Sequence, residues 1–305
     1  MTTDGLRACS GFAVRSELEF HYLRHGGGVP LEIVGGARPG PDPHDELWIE
    51  WTPRPDNALH ARLYSDGRTY RLWISEVGWY RVQPDVLRIE VPDTDEHLRR
   101  EHRLWGLPTT LCAVGRGDLT LHAAAVEAHG GAIVLAGPSR FGKTTLAAAF
   151  HQAGFRLLSE DLTCIRPLPQ PAAVPGPATL RIRRDVADRL ALSGVCEVGR
   201  LDDRVCLAID DARRGDCTPV PLRAVVFLRA GNGSPRLEPT TLRDGLADLW
   251  TLAFRLPNDP DRTRCFAGVA AVARTVSLWN FHRALRLEDL PAAVATLSAL
   301  CHSDA

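Results

Sequence analysis

The sequence predicts an α/β protein in two parts: a small antiparallel, β-rich domain over residues 1–107, and a domain of alternating strands and helices over residues 108–305. Alternating apolar and polar residues around an Asp-Gly turn dominate the first part, which is typical of β-hairpins. From about residue 108, apolar runs alternate with a glycine loop and helix-forming stretches, which is typical of βαβ units. The 305 residues are 45% hydrophobic and 24% charged, a composition that can bury a substantial core.

The first domain is predicted to be a meander of strands. Asp66 and Gly67 form the strongest hairpin signal, between strands at 59–65 and 69–75. Further strands are predicted at 46–52, 78–81 and 86–91. A charged helix is expected over 93–105, and the Gly-Leu-Pro sequence at 106–108 is the predicted domain boundary.

The second domain is predicted to contain a strand–glycine loop–helix–strand unit. Its strands are expected at 119–128, 131–136 and 155–160, with a helix after Lys143 that is capped by Gly154. Five prolines indicate an extended loop at 167–177. Further helices are predicted at 184–192, at 241–256 and from about Asp289, and further strands at 205–209, 224–228 and 275–279.

The composition also argues against several classes of protein. A formal net charge of −1 is unlike that of a nucleic-acid or membrane-surface binder. No apolar run approaches the roughly 18 residues that span a bilayer, and the first residues lack the pattern of a signal peptide, so a cytoplasmic location is expected. The eight cysteines show neither C-x-x-C nor zinc-ligand spacing, so reduced thiols without a structural metal are expected.

The distribution of cations directs attention to one position. Lys143 is the only lysine, whereas the sequence uses arginine everywhere else. The lysine lies in a complete G-x-x-x-x-G-K-[ST] motif, whose loop amides and following helix N-terminus bind phosphate groups. The predicted nucleotide-binding residues are Gly137, Pro138, Ser139, Arg140, Phe141, Gly142, Lys143, Thr144 and Thr145. A glycine turn with a purely structural role is the alternative.

Glu160, Asp161 and His122 are predicted to complete a phosphoryl-transfer site with the loop. Lys143 would neutralise phosphate oxygens, and Thr144 would ligate Mg²⁺. Glu160 and Asp161 follow the next strand, and the carboxyl ends of neighbouring strands face one crevice, so one carboxylate would hold Mg²⁺ and the other would accept a proton. The alternative for these carboxylates is a capping role. His122, in an apolar strand, is either a satisfied core residue or a member of the site.

Residues 121–165 resemble the catalytic core of HPr kinase/phosphorylase, a family with an IHG-type strand, a G-x-x-G-x-G-K-S loop and a strand that ends in paired aspartates. His122 lies 21 positions before Lys143 and Asp161 lies 18 after it, which is the spacing of the family. The resemblance implies a P-loop kinase core of the HPr kinase C-terminal type. This sequence differs from the family at two positions: Arg140 replaces the middle glycine of the loop, and Glu160 replaces the first of the paired aspartates.

The resemblance implies specific roles in this chain. His122 matches the active-site histidine, Asp161 the aspartate that accepts the proton of the acceptor serine, and Thr144 the Mg²⁺-binding serine. Arg181 or Arg183 is the candidate for an arginine that the family carries further along the chain. The order of segments is more similar to HPr-kinase-related proteins encoded with ribosomal peptide-modification systems, some of which phosphorylate a lasso-peptide precursor.

The sequence therefore predicts a kinase that uses ATP and Mg²⁺ to phosphorylate a Ser or Thr hydroxyl of a peptide or small protein, with catalytic residues Asp161, His122 and Lys143 and metal ligands Thr144 and Glu160. The β-rich domain would hold the acceptor peptide. Two alternatives stay open: a kinase for an amino acid or sugar, and a nucleotide-binding regulator without transferase activity. The family forms oligomers, so a homo-oligomer is also an open expectation.

Overall fold

The computed structural model describes residues 6–53 and 60–302, and the fold is mixed α/β. Within these residues, the first sheet has nine strands: β1 (Arg7–Cys9), β2 (Phe12–Arg15), β3 (Arg24–His25), β4 (Val29–Val34), β5 (Glu46–Trp51), β6 (Ala61–Ser65), β7 (Tyr70–Ile74), β8 (Gly78–Gln83) and β9 (Arg88–Glu90). Their spatial order is β3-β1-β2-β4-β9-β8-β7-β6-β5. Residue 59, the first of a predicted strand, lies outside the described residues.

The predicted hairpin is confirmed, because β6 and β7 pair antiparallel with Ser65 opposite Tyr70. Gly67 adopts φ +90° in the turn, a left-handed conformation that favours glycine. The prediction of an antiparallel sheet holds for most of its pairs but is wrong at β4, which pairs in parallel with both β2 and β9. A parallel pair needs a long connection, and the meander β5–β8 supplies it between β4 and β9.

Two helices follow the first sheet: α1 (His97–Leu104) and α2 (Leu107–Gly115). The predicted boundary loop is instead the start of α2, whose first turn contains Pro108, where the missing N–H of proline removes no helical hydrogen bond. Leu104 and Leu111 are buried in the core beneath the first sheet, and Cys164 and Leu256 join the same core from later in the chain. The predicted division at 107/108 therefore crosses a continuous apolar core.

The second half of the chain contains two further sheets and six further α-helices within the described residues. The strands are β10 (Leu119–Ala128), β11 (Gly131–Ala136), β12 (Arg156–Ser159), β13 (Leu162–Arg166), β14 (Ala172–Val174), β15 (Thr179–Arg183), β16 (Val195–Leu201), β17 (Arg204–Ile209), β18 (Val220–Ala230), β19 (Arg236–Pro239) and β20 (Ser277–Arg283). The helices are α3 (Lys143–Gln152), α4 (Arg184–Leu190), α5 (Asp211–Arg214), α6 (Leu242–Leu252), α7 (Asp259–Thr275) and α8 (Leu290–Ser298), with a 3₁₀ turn at Ala299–Cys301.

The larger of these sheets is mixed, with the order β11-β10-β13-β14-β18-β20-β19. Strand β12 also pairs with β10, and β18 pairs in parallel with β11. Its interior is built from alanine and branched residues of β10 and β11, which are buried on both faces. A sheet covered on both faces needs such continuous apolar strands. The smaller sheet has the order β15-β17-β16.

The unit β11–α3–β12 brings two strand ends to one edge of the larger sheet. Strands β11 and β12 both pair antiparallel with β10, so they run parallel to each other on its two sides. The prediction that the two strands are neighbours is wrong, because β10 lies between them. Their carboxyl ends nevertheless reach the same edge, where His122 of β10 also lies.

None of the helices in the described part of the chain is both long enough and apolar enough to cross a lipid bilayer.

Candidate active site

A wide cleft lies at this edge of the larger sheet. It encloses about 1400 Å³ and is lined by the glycine loop, the end of β12, the α1–α2 connection and the three-stranded sheet. The predicted loop residues that line it are Gly137, Pro138, Ser139, Arg140, Gly142, Lys143, Thr144 and Thr145. Phe141 is the exception, because its partly buried ring packs against the apolar core beside α3. His122, Glu160 and Asp161 line the same cleft.

The glycine loop connects β11 to α3, and two of its glycines are needed for its path. Gly142 adopts φ +76° at the N-terminus of α3. A Cβ atom at Gly142 would lie 2.5 Å from Nη2 of Arg283, and one at Gly137 would lie 3.2 Å from the carbonyl oxygen of Leu228. The loop therefore wraps closely against β18 and β20 and leaves the first-turn amides of α3 facing the cleft.

Arg140 lies at the position where the family that the sequence resembles has a glycine. Its φ is +67°, in the left-handed region that non-glycine residues rarely adopt. The backbone conformation is thus the one that a glycine favours, although the side chain is an arginine. A non-glycine residue in this conformation costs on the order of 1 kcal/mol, so the loop keeps its path at a small cost in stability.

Lys143 is buried, with 8% of its surface exposed. Its Nζ atom donates hydrogen bonds to the carbonyl oxygens of Gly137, at 2.9 Å, and Pro138, at 3.1 Å. Burial lowers the pKa of the Lys143 ammonium, whereas Asp161 and Glu160 raise it. The ammonium therefore lies inside the curl of its own loop, held by carbonyl oxygens and balanced by two carboxylates.

Thr144 and Glu160 bring two oxygen donors together on the floor of the cleft. The Thr144 hydroxyl donates a hydrogen bond of 2.9 Å to Oε1 of Glu160, whose side chain is buried. Burial raises the pKa of Glu160 to about 7, and the neighbouring Asp161 charge adds to this shift. A buried carboxyl group with a raised pKa gains stability when a cation lies beside it.

These two oxygens fit the chemistry of Mg²⁺. Magnesium prefers oxygen ligands, keeps several waters and is often held by one or two protein side chains together with substrate phosphates. Within residues 6–53 and 60–302, no group of three His, Cys, Asp or Glu side chains forms a complete metal cage. Thr144 and Glu160 would hold the ion, which would neutralise phosphate charge when bound.

Asp161 and His122 form the second pair of predicted residues that the fold brings together. The Nδ1 atom of His122 lies 3.4 Å from Oδ1 of Asp161. Burial lowers the pKa of His122, Asp161 raises it and Lys143 lowers it, and the net shift is downward. Burial alone would raise the pKa of Asp161, but His122 and Arg181 lower it, so the shift is downward for this carboxylate too.

The pKa values of the adjacent carboxyl groups of Glu160 and Asp161 are therefore shifted in opposite directions. Glu160 is buried and its pKa is raised, whereas 52% of the Asp161 side chain is exposed to the cleft and its pKa is lowered. Two titratable neighbours with opposite shifts are the pattern from which acid and base roles are assigned. Asp161 is the ionised member, and it faces the open space of the cleft.

Of the two arginine candidates, Arg181 is the one whose charge acts on these carboxylates. It lines the cleft and lowers the pKa of both Glu160 and Asp161. Arg183 lines the cleft as well, but its side chain is 60% exposed and pairs with Asp185 at 3.1 Å. Arg183 also lies at the N-terminus of α4, at the end of the same strand β15.

Sequence reasoning missed three basic residues of the cleft. Arg283, at the end of β20, is almost fully buried behind the glycine loop, and its Nη2 lies 3.4 Å from the carbonyl oxygen of Gly142. His102 and Arg103 enter from the end of α1. Burial, with Arg181 and Arg103, lowers the pKa of His102 to about 3, so this imidazole is neutral. Only the tertiary fold brings these residues to the loop.

Comparison with known proteins gives little beyond this geometry. No protein-family model matches the chain, and no curated protein matches it. Among solved structures, the chain is similar to the HPr(Ser) kinase/phosphatase from Coxiella burnetii, with 11% identity and a TM-score of 0.30 over 59% of this chain and 96% of that chain. A likeness of this size defines neither fold nor activity. The fold and the cleft define a mixed α/β protein with a glycine loop at a helix N-terminus.

Proposed function

We propose that this protein is an ATP-dependent, Mg²⁺-requiring kinase that transfers a phosphoryl group to a hydroxyl of a peptide or small protein. One observation supports it above all: the lysine of the loop, the Thr144–Glu160 oxygen pair and the His122–Asp161 pair line one cleft. Phosphoryl transfer depends mainly on positioning and charge neutralisation, and this cleft supplies both.

On the nucleotide side, the loop amides and Lys143 would bind the phosphate chain of ATP. The Lys143 ammonium already lies within hydrogen-bond distance of two loop carbonyls, so a phosphate oxygen entering the loop would exchange those contacts for charged ones. Thr144 and Glu160 would hold Mg²⁺ beside it. The N-terminus of α3 adds a partial positive charge at the same point.

On the acceptor side, Asp161 would receive the proton of the attacking hydroxyl. The acceptor oxygen forms a bond to the γ-phosphorus, the bond from that phosphorus to the leaving ADP oxygen breaks, and the hydroxyl proton passes to the Asp161 carboxylate. His122, whose Nδ1 lies 3.4 Å from Oδ1 of Asp161, would orient that carboxylate. The lowered pKa of Asp161 keeps it ionised before the reaction.

The lining of the cleft supports a polypeptide acceptor. Besides the phosphate loop and the charged residues, the cleft is lined by apolar and aromatic side chains, against which a peptide could pack: Tyr22, Trp51, Ile74, Trp105, Leu107 and Leu252. The resemblance to kinases of ribosomal peptide-modification systems suggests a finer form of the proposal, in which the acceptor is a precursor peptide such as that of a lasso peptide.

Transfer of label from γ-labelled ATP tests the proposal. The full chain is incubated with Mg²⁺ and labelled ATP, with either a Ser/Thr-containing peptide library or a mixture of amino acids and sugars, and Lys143→Ala is the matched control. We expect label on peptides, and none with the variant. Label on a metabolite would favour the small-molecule kinase, and ATP binding with only slow phosphate release would favour the regulator; either result contradicts a peptide kinase.

A further inference from the structure

Two buried arginines outside the cleft, Arg24 and Arg71, each have several partners. The guanidinium of Arg24, fully buried, donates hydrogen bonds to the carbonyl oxygens of Gly176, Arg214, Leu157 and Leu158. Arg71 pairs with the carboxylates of Asp42 and Asp45. This is the expected pattern, because a buried donor without a partner has lost its hydrogen bonds to water and gained none in return.

Two half-buried arginines of the cleft depart from this pattern. The Nε atoms of Arg103 and Arg181 are shielded from solvent and have no hydrogen-bond partner. Within the described residues, the Arg103 guanidinium makes no hydrogen bond or ion pair, and Arg181 has only a long ion pair of 3.8 Å from its Nη1 to Asp202. Asp202 makes a closer contact of 3.2 Å with Arg99.

The two guanidiniums also repel each other. Burial lowers the pKa of Arg103 and the positive charge of Arg181 lowers it further, whereas the carboxylates of Asp202 and Glu76 raise it, and the net shift is downward. They come from different parts of the chain, Arg103 from the end of α1 and Arg181 from β15, so the fold itself brings them together. Both guanidiniums are positively charged, line the same cleft and have N–H groups without acceptors. An anion bound between them would supply those acceptors and reduce the repulsion.

The position of this pair relates it to the acceptor. Asp161 lines the same cleft as Lys143 and Arg181, and the positive charges of both residues lower its pKa. Arg103 lies close in the chain to Trp105, Gly106 and Leu107, which also line the cleft. Because neither arginine belongs to the phosphate loop, an anion bound to the pair would be a group of the acceptor and not a nucleotide phosphate.

We propose that Arg103 and Arg181 form a second anion site, which binds a carboxylate or phosphate group of the acceptor close to its reacting hydroxyl. The identity of the acceptor rests on the proposed kinase function, whereas the anion site itself does not. The acceptor of the proposed kinase would then be an anionic peptide, which the guanidinium pair recognises separately from the phosphate loop.

Sulfate binding tests the site without catalysis. Sulfate is titrated calorimetrically into the Lys143→Ala protein, in which the phosphate loop is weakened, and into the same protein with Arg103→Gln and Arg181→Gln added. We expect the added substitutions to weaken sulfate binding about tenfold or more, as the loss of charge-assisted hydrogen bonds predicts. Arg62→Gln together with Arg236→Gln, at exposed arginines paired with Glu50 and Glu238, is the charge-matched control and should change nothing.

Thermal unfolding of the same proteins separates binding from a structural role. Because Arg103 and Arg181 have unfilled donors, their replacement should leave the unfolding midpoint unchanged or raise it. Equal sulfate affinity with and without the arginines, or no sulfate binding in Lys143→Ala, would overturn the proposal. ATP binding by the wild-type protein is measured separately, so a failure of the kinase proposal would not be mistaken for a failure of this one.

Peptide competition then identifies the source of the anion. Two serine peptides of equal sequence, one ending in a free carboxylate and one in an amide, and a third amide with a glutamate beside the serine, are tested for displacement of sulfate. Displacement by the first or third peptide assigns the anion to the chain terminus or to an acidic side chain. If sulfate binds to the arginine pair and none of the peptides displaces it, the acceptor assignment is wrong.

Discussion

The Arg24 guanidinium donates a hydrogen bond of 2.8 Å to the carbonyl oxygen of Leu157, in the strand that ends beside Glu160. It also donates to Leu158 at 3.2 Å and to Gly176 at 2.8 Å. Arg24 belongs to β3 of the first sheet, whereas Leu157 belongs to β12 of the second. One buried side chain therefore connects the β-rich part of the protein to the strand that directly precedes both candidate carboxylates.

Replacing Arg24 should destabilise the protein strongly. Arg24→Met would leave several buried carbonyl oxygens without donors, and each such group costs about 1–3 kcal/mol. We expect the free energy of unfolding to fall by about 3 kcal/mol or more, measured by urea denaturation. Arg62→Met, at an exposed site on β6, should stay within about 0.5 kcal/mol of wild type. A loss for Arg24→Met as small as that of the control would mean that the hydrogen bonds of Arg24 do not contribute to stability.

The contact between His21 and Glu101 should make stability depend on pH. The buried Glu101 carboxylate accepts hydrogen bonds from the backbone N–H groups of His21 and Tyr22 and from Nε1 of Trp105, and its hydrogen bond with the His21 ring raises the pKa of that histidine. A raised pKa in the folded state stabilises fully below the unfolded value of 6.5, and the contribution is lost as the pH rises through the folded value.

His21→Gln should therefore cost more stability at pH 5.5 than at pH 8.5. Since 48% of the His21 side chain is exposed, solvent screening keeps the difference between the two conditions to about 0.5 kcal/mol. Urea denaturation of both proteins at both pH values measures it. An equal cost at the two pH values, or a larger cost at pH 8.5, would show that the ring and the carboxylate are not linked in this way.

Much of the site could be predicted from sequence, because its strongest signals are local. The glycine loop needs only eight consecutive residues, and Glu160 and Asp161 follow the next strand in the chain. The insertion of β10 between β11 and β12 has no local signal, because strand order is fixed by packing and not by spacing. Arg103 and Arg283 belong to segments far apart in the chain, so their approach to the loop could not be predicted.

Some secondary structure was missed although signals were present. Helix α7 begins after Asn258, whose side chain accepts a hydrogen bond from the Asp261 N–H, and its first turn contains Pro260; these cap and proline signals could have predicted its start. The proline-rich segment was predicted as a loop, yet β14 lies within it. Strand β14 occupies three residues free of proline, and only its pairing with β13 and β18 makes it a strand.

Loss of the Thr144 hydroxyl should weaken the response to Mg²⁺. Thr144→Val keeps the shape of the side chain but removes the oxygen that lies 2.9 Å from Glu160. We expect the Mg²⁺ concentration for half-maximal ATP turnover to rise about tenfold, as for the loss of one ligand. Thr251→Val, on the exposed face of α6, is the control and should leave it unchanged. An unaltered Mg²⁺ requirement in Thr144→Val would exclude this hydroxyl as a ligand.

Asp161→Asn should separate catalysis from nucleotide binding. The substitution removes the carboxylate that would accept the hydroxyl proton but leaves the Thr144–Glu160 pair and the loop unchanged. We expect the rate of transfer to fall by about 10²–10⁴-fold, the usual contribution of a general base. The affinity for Mg²⁺ and ATP, measured by calorimetry, should change by less than about threefold. Turnover similar to that of wild type would remove Asp161 from the role of base.

Arg283 should matter for nucleotide binding although it lies far from the loop in sequence. Its guanidinium is almost fully buried, its Nε has no partner among the described residues, and its Nη2 contacts the carbonyl oxygens of Phe141 and Gly142 at 3.5 and 3.4 Å. Arg283→Met keeps the apolar packing of the stem but removes the positive charge behind the glycine loop. We expect the Kd for ATP to rise about tenfold, since one charge-assisted contact supports the loop or its phosphates. Arg236→Met, on the exposed edge strand β19, is the matched control because its charge pairs with Glu238 at the surface. If both variants bind ATP with wild-type affinity, Arg283 fills space behind the loop and takes no part in holding the nucleotide.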